Sequence, residues 1–444
     1  MRLPVAIVGR AWRTPLGDTI DEVVARLLAG ERAVAPNPRF PAAAYACTLA
    51  AAIPREPARS RNARFLRRMG LFGLEVAHEA LAASGQGGGP RAGLFSGVGG
   101  LRAHWDDMMG ALVDQRDDGQ GAWSRGLRDI HPYWMLKHLS NNVHALASAE
   151  LGLHGEGATF GGGNAGAQAI AAAARALWDG AIDVALVVAH DSLLEPETLV
   201  ELGARRAATL AMSAAEVAAP YDARAAGFVP GEAAAAIVIV RPADARSPYA
   251  IVEAADTADG AVGEPGAEAL GRMVTQLAEA SGMGDASRAE PGLDATERDA
   301  AARSGTEARG RDDVAARSGA EALGRIVAQL GDAGAGVVDG ASRAWPELDA
   351  AERGVLAVLG VDTPLVSIAA ATGRLGAATA VVQAIALGEL LRRGVLPPIA
   401  GLEQPAGGAC RPLAAATPTR ARSAIALSTA VPGLAAGIRV EIVP

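Results

Sequence analysis

The segment Gly161-Gly-Gly-Asn-Ala-Gly166 lies between a short extended run, Gly157 to Phe160, and an Ala-rich helical run, Ala167 to Trp178. Two chemistries call for glycines in such a place. The first is dinucleotide binding: Gly-x-Gly-x-x-Gly lets backbone approach a pyrophosphate at a helix N-terminus, with Asp191 after the next strand to meet the ribose. Here the preceding strand is short, and the motif stands far into the chain rather than at the start of a domain. The second is a nucleophile elbow, a sharp strand-to-helix turn that presents one residue where the helix dipole stabilises developing negative charge. This turn contains no Cys, Ser or Thr. The sequence offers the elbow without the reagent.

Other reactive side chains do not gather around that turn. The seven histidines stand at positions 78, 104, 131, 138, 144, 154 and 190, so the second half has none. His131, His138 and His144 share one polar stretch and read as structural or surface residues. His190-Asp191-Ser192 reads as a turn at a strand end, with an atypical catalytic set as the competing interpretation. Cys47 and Cys410 fall outside any Gly-rich turn. No Gly-x-Ser-x-Gly occurs, and no His pair has a third ligand in evidence, so neither a metal nor a cofactor is expected. Glu75 and Glu79 share a helix face and read as solvated charges rather than an acid–base pair.

The elements that would position such residues follow an α/β pattern. Strands are expected at Val5 to Val8, Arg91 to Ser96, Asp183 to Ala189, Ala235 to Val240, Ala250 to Ala254, Pro364 to Ile368, Ala424 to Leu427 and Ile438 to Ile442. Helices are expected at Asp21 to Leu28, Arg64 to Ser84, Ala167 to Trp178 and Leu375 to Arg392. With 444 residues, half of them hydrophobic and only 4% aromatic, the chain can fill two large cores or one duplicated core with small aliphatic side chains. A net charge of −8 with interspersed signs argues against a nucleic-acid partner. The basic run Arg59 to Arg68 reads as a solvated helix start or as a docking patch for an acidic partner. Two cysteines without a disulfide framework, and no uncharged stretch of membrane-spanning length, lead to the expectation of a cytoplasmic protein without a membrane span.

Residues from about 258 to 350 carry a tandem duplication. Gly266-Ala-Glu-Ala-Leu-Gly-Arg-Met-Val recurs as Gly319-Ala-Glu-Ala-Leu-Gly-Arg-Ile-Val, and Leu293-Asp-Ala-Thr-Glu-Arg recurs as Leu348-Asp-Ala-Ala-Glu-Arg. The second copy runs into the next strand and is expected to fill the native slot. The first, near 258–318, is expected to be an insertion.

Taken in order, several segments resemble the β-ketoacyl synthases over nearly the whole chain. These are Val5-Ala-Ile-Val-Gly with Thr14-Pro-Leu-Gly, Leu153-His-Gly-Glu-Gly-Ala-Thr before the elbow, Pro220-Tyr-Asp, Gly227-Phe, Gly231-Glu, Thr372-Gly-Arg-Leu-Gly-Ala-Ala and Gly394-Val-Leu-Pro-Pro. The resemblance implies a thiolase-like, duplicated five-layer αβαβα fold, with an N-terminal half at 1–245 and a C-terminal half at 246–444. In that family an elbow cysteine is acylated and two histidines assist decarboxylation. Carried over, the cysteine position falls on Gly163, the histidines on Ala341 (or near it) and Arg374, and an accompanying lysine on Ala369. The family's Gly-Phe-Gly-Gly loop is replaced around Ala430-Val-Pro-Gly-Leu, without phenylalanine. Gly163 cannot form a thioester, and a guanidinium at 374 cannot serve as a neutral base.

The resemblance therefore implies a degenerate, chain length factor-like subunit. It would pair as a heterodimer with an active β-ketoacyl synthase and work with an acyl carrier protein in polyketide, aryl polyene or fatty acid-type synthesis. A homodimeric acyl-binding or regulatory paralogue, and an enzyme with an atypical site, are the alternatives.

Overall fold

The computed structural model describes residues 3–58, 60–99, 130–256, 322–330, 336–342, 344–407, 410–429 and 435–443. The 258–318 segment and the Ala430–Leu434 loop lie outside the described residues. Eleven strands form one sheet: β1 (Val5–Arg13), β2 (Ala92–Val98), β3 (Ala158–Gly161), β4 (Val184–Ser192), β5 (Glu232–Val240), β6 (Ala250–Asp256), β7 (Val338–Asp339), β8 (Pro364–Val366), β9 (Arg411–Pro412), β10 (Ser423–Thr429) and β11 (Ala435–Glu441). Their spatial order is β9-β8-β7-β10-β11-β6-β1-β5-β4-β2-β3.

That order contains the same unit twice. On one side β3, β2 and β4 run parallel, followed by antiparallel β5 and β1. On the other side β8, β7 and β10 run parallel, followed by antiparallel β11 and β6. The two units meet where β1 pairs antiparallel with β6, Val5 opposite Val252. The fold is thiolase-like, with mixed α/β layers around this duplicated sheet.

Seven of the helices frame the sheet and the site: α1 (Ile20–Leu28), α2 (Arg68–Ser84), α3 (Asn142–Leu151), α4 (Ala165–Trp178), α5 (322–330), α6 (Pro346–Leu356) and α7 (Thr379–Arg393). Helices α4 and α7 touch each other and strands of both units, so they form the shared middle layer. Their Ala-rich faces make this possible: Ala165, Ala169, Ala173, Ala380 and Ala384 are buried there, and small side chains bring backbones close. Helices α2 and α3 cover the outer face of the first unit with Phe72, Val76, Ala80, Val143 and Ala147. The uninterrupted apolar runs of β4 and β5 follow from having both faces covered. Helix α5, which comes from the second copy of the duplication, buries Ala322, Leu323, Ile326, Val327 and Leu330 in the main core.

Two helix starts lie four residues later than the sequence expectation, the other two within two residues of it. Residues Arg61–Arg64 form a separate 3₁₀ turn, and α2 begins only at Arg68, after Arg67 adopts an extended ψ of 170°. Likewise α7 begins at Thr379 rather than Leu375, because Gly376 takes φ +53° and opens a 3₁₀ turn over Gly376–Ala378. Glu75 and Glu79 are also not merely solvated. Glu75 accepts from Arg13 at 3.2 Å and from Arg55 at 2.6 Å, and Glu79 accepts from Arg13 Nη1 at 2.9 Å. In the basic run, Arg68 is paired with Glu56 and with buried Glu232, whereas Arg61 and Arg64 stay exposed.

Candidate functional site

Strand β3 lies in parallel register with β2, Gly161 opposite Val98. The chain then turns through Gly162 at φ +111°, a value that glycine adopts without a Cβ penalty, and α4 starts at Ala165. Two further glycines let this turn sit close to its neighbours. A Cβ at Gly97 would lie 2.7 Å from the Ala165 carbonyl carbon and the Gly166 nitrogen, and one at Gly166 would fall on the Ala377 carbonyl oxygen. The elbow is thus pressed against the second half of the chain. Gly163 stands in the turn itself, partly exposed and without a side chain.

Two polar contacts fasten the elbow and the end of β4 to that second half. Buried Asn164 accepts a hydrogen bond from Ser428 Oγ at 3.2 Å. Asp191 accepts from the Ala377 backbone N–H at 3.0 Å with one oxygen and from the Ser192 N–H at 2.8 Å with the other. Asp191 is therefore committed to backbone donors, which removes the ribose-binding partner that a dinucleotide site requires. His190 points the other way. Successive strand residues face opposite sides, and the His190 ring lies against Gly73 of α2. Its Nε2 has no hydrogen-bond partner among the described residues, and burial lowers its pKa to about 4. Ser192 Oγ accepts from the Leu194 N–H. The three consecutive residues do not converge as a catalytic set.

Ala341, Ala369 and Arg374 line one cavity of about 20 Å³, together with Gln383 and Ser428. Three of the four positions assigned by the family resemblance thus line one cavity, and the fourth, Gly163, is tied to its wall through the bond between neighbouring Asn164 and Ser428. Their supports are visible. The Ala341 N–H donates to Glu352 Oε1 at 2.6 Å, and the Ser342 N–H donates to Tyr221 Oη at 3.1 Å, whose hydroxyl donates to Glu352 Oε2. Ser342 and Ala344 both take φ +53°, so this strand-end loop is held in a conformation that side chains ordinarily avoid. Arg374 is anchored at both ends. Its backbone N–H donates to the Val229 carbonyl at 2.9 Å, its guanidinium donates to the Thr429 carbonyl, and it stacks over the Phe228 ring at 4.9 Å.

Asp339, Gln383, Asn164 and Ser428 carry the polar framework here, and none of them was legible as a site residue. Asp339 is fully buried and accepts from the Ile368 N–H and from Gln383 Nε2, each at 3.0 Å. Burial pushes its carboxyl up to about 7, against those two donors, which favour the charged form. Gln383 also donates to the Leu427 carbonyl. The hydroxyls around the cavity are turned to protein acceptors: Thr372 to the Ile368 carbonyl, Thr379 to the Gly376 carbonyl and Ser428 to Asn164. None of these contacts pairs a hydroxyl with a basic group, the arrangement that nucleophilic catalysis needs. The sites of Cys47 and Cys410 are elsewhere, both buried, with burial raising each thiol. Among the described residues no group of three His, Cys, Asp or Glu is arranged to hold a metal ion, and no helix is long and apolar enough to cross a membrane.

Known proteins share this architecture. The family description "Beta-ketoacyl synthase, N-terminal domain" matches residues 2–245. An oxytetracycline polyketide β-ketoacyl synthase of Streptomyces rimosus is 29% identical over 229 residues, 50% of this chain; the match spans about half the length of that curated relative, 53%. Two solved structures superpose over 100% of both chains. The ishigamide ketosynthase/chain length factor does so with a TM-score of 0.71 at 16% identity. AntDE:AntF, a type II polyketide acyl carrier protein in complex with its ketosynthase bound to the hexaketide, gives a TM-score of 0.73 at 15% identity. With the family match covering more than half of its length on a thiolase-like fold, the chain belongs to the β-ketoacyl synthase family.

Proposed function

We propose that this chain is a chain length factor-like subunit: a non-catalytic partner that completes a heterodimer with an active β-ketoacyl synthase and shapes the tunnel for the growing acyl or polyketide chain. One observation carries the reading. A strand-to-helix elbow and a cavity tied to it persist on a thiolase-like fold, yet the positions to which the family resemblance assigns Cys, His, His and Lys are Gly163, Ala341, Arg374 and Ala369. A scaffold kept while its reagents are replaced serves a neighbour that needs the shape.

The surface offers places for such a neighbour. Strand β3 ends the sheet, with no partner on its outer side among the described residues, and an open strand edge invites pairing. The short helical turn Trp134–His138 and its flanks expose Tyr133, Met135, Leu136 and Leu139, with Met135 65% exposed. Exposed apolar clusters of this kind mark interaction surfaces. The polyketide, aryl polyene or fatty acid-type setting, and contact with an acyl carrier protein through the partner, belong to the same proposal. Exposed Arg61 and Arg64 would suit an acidic carrier surface.

Co-expression with a neighbouring ketosynthase that retains Cys-His-His tests it. The expected result is a stable one-to-one complex that condenses malonyl thioesters only when both chains are present. Purification as a homodimer that never carries the ketosynthase would sink the idea, as would condensation by this chain alone.

A further inference from the structure

We infer that Arg374 is a plug that keeps acyl chains out of this subunit's own elbow cavity. The inference rests on the proposed function for its biological meaning, because it confines the growing chain to the partner's side of the pair. It begins from a mismatch of volume. Alanine at 341 and 369 leaves both positions without long side chains, yet the cavity measures only about 20 Å³. That is room for a single water-sized group.

Arg374 is the long side chain in that wall, and it is fixed rather than free to swing aside. Its guanidinium donates to the Thr429 carbonyl and lies 4.9 Å from the Phe228 ring centroid. Its own carbonyl accepts from the Gly231 N–H at 2.9 Å, and its N–H is bonded to Val229. The opposite wall is equally set, with Gln383 held between Asp339 and the Leu427 carbonyl. Most of the remaining lining is aliphatic, including Ile368, Val382 and Leu427. Such walls would accept an unbranched acyl chain if there were space. The space is what Arg374 removes.

The test titrates the purified chain, with its ketosynthase bound if the pair forms and the ketosynthase cysteine blocked, with octanoyl-pantetheine amide. Wild type is expected to show no saturable binding at its own pocket. Arg374→Ala should bind one equivalent, at least about tenfold tighter than any residual wild-type binding, a tenfold step being the usual unit of affinity change. Arg374→Leu refills the space without the charge and should behave as wild type, which separates a steric plug from a lost charge. Equal binding by wild type and Arg374→Ala, or no gain in an Arg374→Ala chain that melts like wild type, overturns the inference.

A second measurement leaves Arg374 in place and so does not depend on that variant folding. In Gly163→Cys, iodoacetamide should alkylate the new thiol while an N-octyl iodoacetamide is slowed at least about tenfold more than on a free thiol; buried Cys47 and Cys410 give little background. Equal labelling by the two reagents overturns the plug. If Arg374→Ala gains binding in a chain that never pairs with a ketosynthase, the plug stands and the heterodimer reading falls.

Discussion

Under the proposed function, the elbow around Gly163 and the cavity around Arg374 have both parted from the chemistry that the family resemblance implies, by opposite routes. At the elbow only the reagent has gone. The turn at Gly162, the start of α4 and the tight approach to Gly97 all remain, and a Cβ at Gly161 or Gly162 would still meet open space. At the cavity the wall has been rebuilt. Arg374 lines it, buried Asp339 has no cationic partner among the described residues, and Gln383 bridges that acid to β10. Subtraction costs little where the chain was already glycine-rich. Replacement in a packed core requires new polar partners for everything it buries, which is why the second region carries the denser hydrogen-bond network.

If the cavity was rebuilt at a cost, its buried acid should reveal that cost through pH. Asp339 has its folded-state value raised from 3.8 to about 7. Between those values the unfolded chain ionises this carboxyl while the folded chain holds it neutral, so stability falls as pH rises from about 4 to about 7 and levels off above. By the shift, the loss reaches up to about 4 kcal/mol. Asp339→Asn keeps only one accepting oxygen, so it should start less stable than wild type near pH 4 and gain on it progressively toward pH 8, as read by chemical denaturation at several pH values. A difference that does not vary with pH would break the contrast. The elbow side has the opposite tilt, since burial depresses His190 to about 4 and its contribution is lost as pH falls below the usual histidine range.

The elbow's own limits are steric, and they are one-sided. Gly166→Ala gains helix propensity of about 1 kcal/mol, but its Cβ would meet the Ala377 carbonyl oxygen, backbone that cannot swing aside. Overpacking should win, for a net loss of about 1–3 kcal/mol in the denaturation midpoint. Gly161→Ala meets no atom within 4 Å and should change stability by less than about 1 kcal/mol. Equal losses at the two positions would mean that the elbow is not pressed against the second half only from behind.

What could be seen in the sequence divides along the same line. Glycine spacing between a strand and an Ala-rich helix exposes an elbow directly, because the turn needs glycine locally. The rebuilt cavity is opaque for the opposite reason. Ala341 and Ala369 carry no chemical signal, and they were reached only through the family resemblance. Asp339 and Gln383 meet across 44 residues of sequence, and Arg374 reaches Thr429 across 55. Glu75 looked solvated because its partner, Arg13, lies 62 residues away. Strands β7 and β9 span two residues each, too few for any periodicity to show, although β7 belongs to the second copy of the unit and β9 extends its edge. The sequence pattern starts the late helix α7 four residues early because Gly376 in the left-handed region cannot be told from a helical glycine by pattern alone.

The smallest expected effect is the most direct check on the comparison. If the elbow lost only its nucleophile, Gly163→Cys should fold as wild type and present a thiol at the start of α4, where the helix dipole favours the thiolate. It should still condense nothing. No imidazole faces that thiol among the described residues: His190 lies under α2, and His144 is engaged by Ser96 and Thr159 at 3.3 Å on the far side of β3, with burial lowering its pKa. Arg374 stays protonated and cannot accept a proton. Malonyl-pantetheine decarboxylation by the single variant should remain at the buffer rate. The triple variant Gly163→Cys, Ala341→His, Arg374→His restores base and space together, and any rate above that background should first appear there. Turnover by Gly163→Cys alone would show that the cavity was never the obstacle, and that the two regions differ less than their structures suggest.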